Sequence, residues 1–197
     1  MKRIGVYGGT FNPVHIAHLI TAEEVSEQMH LEKVLFIPTA HHPLKNEESI
    51  IDAGTRLKML EIAINGNDKF ESSDIEITED EQKSYTVNTL IKLREKYKDE
   101  QVKFYLIIGM DNFAELQKWK EPDKLFMLAE VIVINRPGYF ADDIKNDYSR
   151  QVVYAPVTNI DISSTEIRNR VRENRSIKYL VPDGVERFIQ QNKLYTS

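Results

Sequence analysis

The chain has 197 residues, 41% hydrophobic and 29% charged, with a formal net charge of −5 and no cysteine. That length and apolar content suit one good core, so a single domain over 1–197 is expected, with a helical part from about residue 163 onward. The acidic balance argues against a general nucleic-acid or membrane-surface partner, while a local basic pocket for phosphates stays open. Zero cysteines exclude disulfides, thiolate catalysis and cysteine-ligated metal, and are compatible with a reducing compartment. No run approaches the roughly 18 to 20 apolar residues of a spanning helix, and Met1-Lys2-Arg3 leads into a strand-like run, so a cytoplasmic protein is expected.

In chain order, the first apolar run is Ile4 to Tyr7, followed by Gly8-Gly9-Thr10-Phe11-Asn12-Pro13-Val14-His15-Ile16-Ala17-His18. This reads as strand, phosphate-sized turn and helix. Glycines there remove the β-carbons that would block an anion from backbone N–H groups, and a helix after Pro13 points its positive end at the same place. His15 and His18, three apart, then share one helix face. A zinc site is not indicated: His-Glu-x-x-His is absent, and His30, His41 and His42 show no ligand spacing to this pair. Neither Gly-Lys-Ser/Thr nor Gly-x-Gly-x-x-Gly follows the strand.

Further strand-like runs are Val34 to Ile37, Phe104 to Ile108, Val131 to Ile134 and Val152 to Tyr154, with weaker alternation at Ile75 and Ile77. Helical spacing fills Arg56 to Ile64, Val87 to Tyr97 and Pro122 to Leu128, and two or three helices are expected between Ser163 and Leu194. The alternation predicts an α/β, Rossmann-like, doubly wound parallel sheet with a C-terminal helical segment. Ligands bind such sheets beyond the carboxyl ends of the strands, where the Gly8 and Gly109 turns fall. Pro137 to Arg150 is expected to be a surface loop.

Ile162-Ser163-Ser164-Thr165-Glu166-Ile167-Arg168 fits a capping box, with Ser163 and Glu166 three apart, and its hydroxyls and free N–H groups suit a phosphate. Arg168 lies one turn in. Lys45, after Pro43-Leu44, is placed to meet a substrate phosphate. Ser84-Tyr85-Thr86 opens a helix with a hydroxyl and N–H groups for a carboxylate-sized anion. Asp111, after Gly109, suits a ribose hydroxyl, and Trp119 a flat heterocycle.

Gly-Gly-Thr-Phe-Asn-Pro-x-His-x-x-His resembles the N-terminal motif of the nucleotidyltransferase superfamily, which usually carries His-x-Gly-His; here Ala17 stands in the glycine position. Over essentially the whole chain the ordered set of this motif, Pro-Leu-Lys, Ser-Tyr-Thr, Ile-Gly-x-Asp, Lys-Trp, Asn-Arg-Pro-Gly and Ile-Ser-Ser-Thr-x-Ile-Arg is similar to the bacterial nicotinate-mononucleotide adenylyltransferases. A second departure is Lys120, where many relatives have Tyr after the Trp. The resemblance implies adenylyl transfer from ATP to nicotinate mononucleotide, a step of NAD biosynthesis, with Mg²⁺ carried mainly by ATP and no protein metal ligands. It implies His15, His18, Lys45 and Arg168 as catalytic residues. It puts Gly8, Gly9, Thr10, Phe11, Gly109, Asp111, Ile162, Ser163, Ser164 and Thr165 with the two histidines and Arg168 on ATP, and Lys45, Tyr85, Thr86, Asp111, Trp119 and Arg136 on the mononucleotide. A phosphate monoester is already a good nucleophile near neutral pH, so alignment and charge neutralisation can suffice without a general base. Nicotinamide-mononucleotide and phosphopantetheine adenylyltransferases, glycerol-phosphate type cytidylyltransferases and a non-catalytic nucleotide-binding module remain as alternatives, and a homo-oligomer stays open.

Overall fold

The computed structural model describes residues 1–40, 50–77, 84–136, 138 and 147–196. Six strands, β1 (Lys2–Gly9), β2 (Lys33–Pro38), β3 (Phe70–Ser72), β4 (Val102–Gly109), β5 (Glu130–Ile134) and β6 (Val152–Ala155), form one sheet in the order β3-β2-β1-β4-β5-β6. Every pairing is parallel, so the doubly wound parallel sheet expected from the sequence is the architecture found. The order reverses between β1 and β4, and their carboxyl ends open the crevice in which such folds hold ligands.

Side-chain alternation divides the interior into two layers. Ile4 and Val6 of β1, Leu35 and Ile37 of β2, Phe104, Leu106 and Ile108 of β4, and Val131 and Val133 of β5 pack on one face. Val34 and Phe36, Tyr105 and Ile107, and Ile132 and Ile134 pack on the other. Because both faces are buried, the strands read as near-continuous apolar runs. On the first face lie α3 (Thr86–Lys96), α4 (Met110–Ala114) and α5 (Pro122–Leu128), contributing Val87, Leu90, Leu93, Phe113 and Leu125. On the second lie α1 (Ile16–Gln28), α2 (Ala53–Ile64), α6 (Ser164–Arg172) and α7 (Asp183–Gln191), contributing Val25, Met59, Leu60, Ile167, Val185 and Ile189.

Three local expectations need correction. The third strand is Phe70–Ser72, and Ile75 and Ile77 lie in the following turn, because only the three preceding residues find a partner, at Val34 to Phe36. Gly8 and Gly9 are still strand, paired with Ile37 and Pro38, so the turn proper is Thr10 to Val14. Helix α1 begins at Ile16, which makes His15 its N-cap residue and not a member of its face. Lys45 and most of the loop expected at Pro137 to Arg150 lie outside the described residues.

Gly5 lets β1 run close beneath the loop after α1: a β-carbon there would sit 2.9 Å from Leu31 Cδ1, 3.2 Å from Ile107 Cδ1 and 3.3 Å from Val34 Cγ2. Overpacking of this kind costs about 1–3 kcal/mol. Gly5→Ala should therefore lower unfolding free energy by about that amount in urea titration; an unchanged midpoint would show that Leu31 moves aside freely.

Candidate active site

A cleft of ≈ 930 Å³ opens above the carboxyl ends of β1 and β4. Its walls include Gly8, Gly9, Thr10, Phe11, His15 and His18 from β1 and the start of α1, and Gly109, Asp111, Trp119 and Arg136 from β4, β5 and the segments after them. Tyr85 and Thr86 come from the start of α3, and Ile162, Ser163, Ser164, Thr165 and Arg168 from the start of α6. Thus every residue expected at the site, Lys45 excepted because it is not among the described residues, lines one cavity. Glu76, Asn112 and Glu115 line it as well, without having been singled out by the sequence, and so do Lys118 of the Lys-Trp element and Lys120, the departure noted above.

The two histidines form a stacked pair, ring centroids 3.6 Å apart and 27° between planes. The backbone N–H of His15 donates to His18 Nδ1 at 3.2 Å. That bond uses Nδ1 as an acceptor, so in the neutral ring the proton resides on Nε2. Phe11 packs its ring edge against His18 at 5.0 Å. Burial, then the positive charge of Arg136, lowers the pKa of His15 to about 3; burial, then His15 and Arg136, holds His18 well below its ordinary value. Both rings are therefore neutral donors in the free protein. Tyr7, beside them, is pushed up to about 12 by burial and stays a phenol.

The glycines do different work. A β-carbon on Gly8 would meet nothing within 4 Å, so its open face is available to a ligand, whereas one on Gly9 would press on the Phe11 ring at 3.0 Å. Gly109 leaves room for its neighbours, since a β-carbon there would collide with Asp111 Oδ1. Asp111 Oδ1 lies 3.5 Å from Arg136 Nε, an ion pair between the ends of β4 and β5. The methyl of Ala17 belongs to a side space of only ≈ 20 Å³ shared with His15, His18, Thr21 and Asn135.

Helix α6 is fastened to the β1–α1 turn. Ser163 Oγ accepts from Glu166 N–H at 3.1 Å, as expected of the cap. The reciprocal half of the expected capping box is replaced by an ion pair of Glu166 with Arg170 at 2.9 Å. Ser164 Oγ donates to Pro13 O and Arg168 Nη1 to Asn12 O, both at 2.8 Å. Ser84 does not cap α3; its hydroxyl accepts from Ala40 N–H at 3.1 Å, and Tyr85 is the N-cap residue. Lys120 Nζ lies 4.8 Å from the Tyr85 ring centroid, a cation–π contact.

Two residues that support this site escaped the sequence reading. Arg56, 1% exposed, donates to Thr10 O at 2.7 Å and Thr39 O at 2.6 Å. Tyr195, near the carboxyl end of the chain, donates its hydroxyl to Asn12 Oδ1 at 2.8 Å. The signal for Arg56 was a cation on the buried stripe of α2, one turn before Met59 and Leu60; for Tyr195 no local signal exists. Among the described residues, no group of three or more His, Asp or Glu is placed to hold a metal ion, and no helix is long and apolar enough to cross a membrane.

A Rossmann-like sheet, an N-terminal His-x-x-His turn and a Ser-Ser-Thr-x-x-Arg helix start around one cleft define a nucleotidyltransferase. The family model described as "Cytidylyltransferase-like" matches residues 6–170. A protein of Desulfitobacterium hafniense (strain Y51) named "Probable nicotinate-nucleotide adenylyltransferase" is 39% identical over 201 residues, covering 98% of this chain and 96% of its own. One of the same name from Clostridium beijerinckii is 38% identical, covering 99% and 100%. The chain belongs to the nicotinate-nucleotide adenylyltransferases of the cytidylyltransferase-like family. Its fold is shared with Plasmodium falciparum nicotinic acid mononucleotide adenylyltransferase, solved in complex with NaAD (TM-score 0.77, 23% identity, 99% and 98% of the two chains covered).

The neutral state of His15 has a consequence for stability. The unfolded chain takes up this proton near pH 6.5, the folded protein only near about 3. Between those values the unfolded state binds more protons, so His15 leaves stability intact above pH 6.5 and lowers it as pH falls toward 3. His15→Gln should remove this slope, up to about 1.4 kcal/mol per pH unit, when urea unfolding of variant and wild type is compared from pH 6.5 to 5. Parallel pH profiles would mean that the folded protein already carries the charged ring.

Proposed function

We infer that the protein transfers the adenylyl group of ATP to nicotinate mononucleotide, giving nicotinate adenine dinucleotide and pyrophosphate, a step of NAD biosynthesis. The observation that carries the site-level reading is the single cleft lined both by the paired histidines with the α6 start and by Tyr85, Thr86 and Trp119. One set suits a polyphosphate and the other an aromatic carboxylate, so two substrates fit in one space. On this reading the reaction takes place in the cytoplasm, in accord with the absence of cysteine.

In the reaction a phosphate oxygen of the mononucleotide forms a bond to the α-phosphorus of ATP, and the bond from that phosphorus to the bridging oxygen of pyrophosphate breaks. The attacking phosphate is largely ionised at neutral pH, its second pKa being about 6, so no proton need be removed first. Catalysis then rests on alignment and on donors aimed at charge that builds on the pyrophosphate side. We assign that task to His15 and His18, neutral donors in the free site whose proton affinity rises when an anion replaces water beside them. Arg168 and the N–H groups at the start of α6, with hydroxyls of Ser163 and Thr165, complete the polyphosphate site, and Gly8, Gly9, Thr10 and Phe11 form its floor. Mg²⁺ enters with ATP as part of that substrate.

Lys45, outside the described residues, is assigned to the mononucleotide phosphate, with Arg136 beside it. Asp111 is assigned to ribose, sharing its carboxylate with Arg136. The N-terminal end of α3 at Thr86, the Tyr85 and Trp119 rings and the Lys120 ammonium are assigned to the pyridine carboxylate end. Lys120 lines the cleft where many relatives place an aromatic ring, so charge takes over from stacking in choosing the acid substrate.

The test is to incubate the protein with ATP and Mg²⁺ plus nicotinate mononucleotide, nicotinamide mononucleotide or phosphopantetheine, and to measure pyrophosphate and adenylylated product. Product chiefly from the nicotinate substrate is expected; product chiefly from the amide would remove the carboxylate assignment. His18→Ala should reduce kcat/KM by about 2 to 4 kcal/mol, the range for losing a preorganised donor, and a loss within about threefold would end its catalytic assignment. Lys120→Ala should narrow the ratio of kcat/KM for acid over amide several-fold, and equal losses on both substrates would exclude it from carboxylate recognition.

A further inference from the structure

Arg56 does not line the cleft, yet its guanidinium lies behind two of the segments that shape it. Nη1 donates to Thr10 O at 2.7 Å, Nη2 to Thr39 O at 2.6 Å and Ala40 O at 3.4 Å, and Nε to Ile51 O at 2.9 Å. Thr10 opens the turn that leads to His15. Thr39 and Ala40 leave β2 toward the segment bearing Lys45, and Ala40 N–H continues the path to Ser84 Oγ, just before the start of α3. One planar cation therefore spans from the turn assigned to ATP to the segments assigned to the acceptor. Among the described residues Thr39 N–H also donates to Gly9 O at 2.9 Å, a bond between strand ends, whereas Arg56 reaches the turn itself at Thr10.

The choice of residue type is informative. Among the described residues Arg56 forms no ion pair, and burial lowers its pKa from the usual arginine value. A buried cation bonded to carbonyls, with the charges of Asp52 and Glu76 acting on it without an ion pair, is costly, and satisfying carbonyls alone would not require one. What arginine adds is a rigid fork that fixes several acceptors at set distances from one another, which a lysine or an amide cannot do. In-line transfer between two bound phosphates depends on such spacing, because displacement by about 1 Å can cost about 100-fold in rate.

We propose that Arg56 is a positioning residue for adenylyl transfer: by holding Thr10 and Thr39–Ala40 on one guanidinium, it sets the distance between the nucleotide phosphates and the acceptor phosphate without touching either substrate. The proposal rests on the reaction inferred above. Wild-type protein must first release pyrophosphate with nicotinate mononucleotide; failure there removes the reaction, whereas the variants below judge Arg56 alone.

Arg56→Lys keeps the charge but loses the fork, and Arg56→Met removes both. For each, melting temperature and the folded fraction are measured first, then kcat and both KM values per folded molecule. The expected result is a fall in kcat of about 100-fold for Arg56→Met, with KM for ATP and for the mononucleotide each within about threefold. Arg56→Lys should recover little of the loss. A lower melting temperature with kcat unchanged would overturn the proposal, as would a rise in KM for one substrate with kcat retained. If neither variant folds, hydrogen exchange of the wild type decides: nicotinate mononucleotide alone should slow exchange in residues 10–16, and no change there would overturn the link.

Discussion

The structure depends on satisfying the backbone of one short turn. Phe11, Asn12, Pro13 and Val14 are all buried, so water cannot serve their carbonyls, and buried carbonyls left unpaired are costly. Donors from distant parts of the chain meet four acceptors here: Thr10 O is served by Arg56, Asn12 O by Arg168, Pro13 O by Ser164 and the Asn12 side chain by Tyr195. The turn cannot take this shape until α2, α6 and the residues after α7 are in place. The shape of this cleft wall thus depends on donors that the rest of the fold supplies. The packing of α1 follows the same logic, with Ile16 N–H donating to Leu180 O and Glu24 accepting from both the backbone and the hydroxyl of Thr158.

That dependence also explains the protonation of the histidines. Burial comes first, and Arg136 lies beside the buried pair of imidazoles. Protonating either ring would add a positive charge to a buried place beside Arg136, so the free site keeps both neutral. On the proposed reading, a polyphosphate would reverse the sign of the local field, and the arrangement that suppresses charge in the free protein would then favour it, most where negative charge gathers on the departing pyrophosphate.

What could be read from the sequence follows from which interactions are local. The sheet was legible because burial on both faces turns Val34 to Ile37 or Phe104 to Ile108 into continuous apolar runs, and because Pro122 and Ser163 announce helix starts within a few residues. The site was legible to the extent that its residues cluster in motifs at strand ends and helix starts. Phe70–Ser72 was missed since a three-residue edge strand has no periodicity to detect; its pairing with Val34 to Phe36 is a tertiary fact. Ser84, in the segment read as opening α3, accepts from Ala40 N–H and not from a helix N–H, a choice between two donors that the order of residues does not settle. Glu166 likewise has two uses for its carboxylate, and the i, i+4 ion pair with Arg170 prevails over the backbone N–H of the cap.

Arg56 sits between these cases. Its position at the start of the helical run Arg56 to Ile64 was visible, but the reason for a buried cation there lies in carbonyls of residues 10, 39, 40 and 51. Those carbonyls carry no residue-type signature, because every residue has one. Side chains that bind substrates advertise their chemistry in sequence, whereas side chains that bind backbone advertise only themselves. In this fold the second kind outlines the cleft from behind: Arg56 and Tyr195 do not line it, yet they fix the turn whose residues do. The stacked histidines would otherwise rest on a turn with unpaired carbonyls, free to rearrange toward water, and the geometry of the pair would be lost with it.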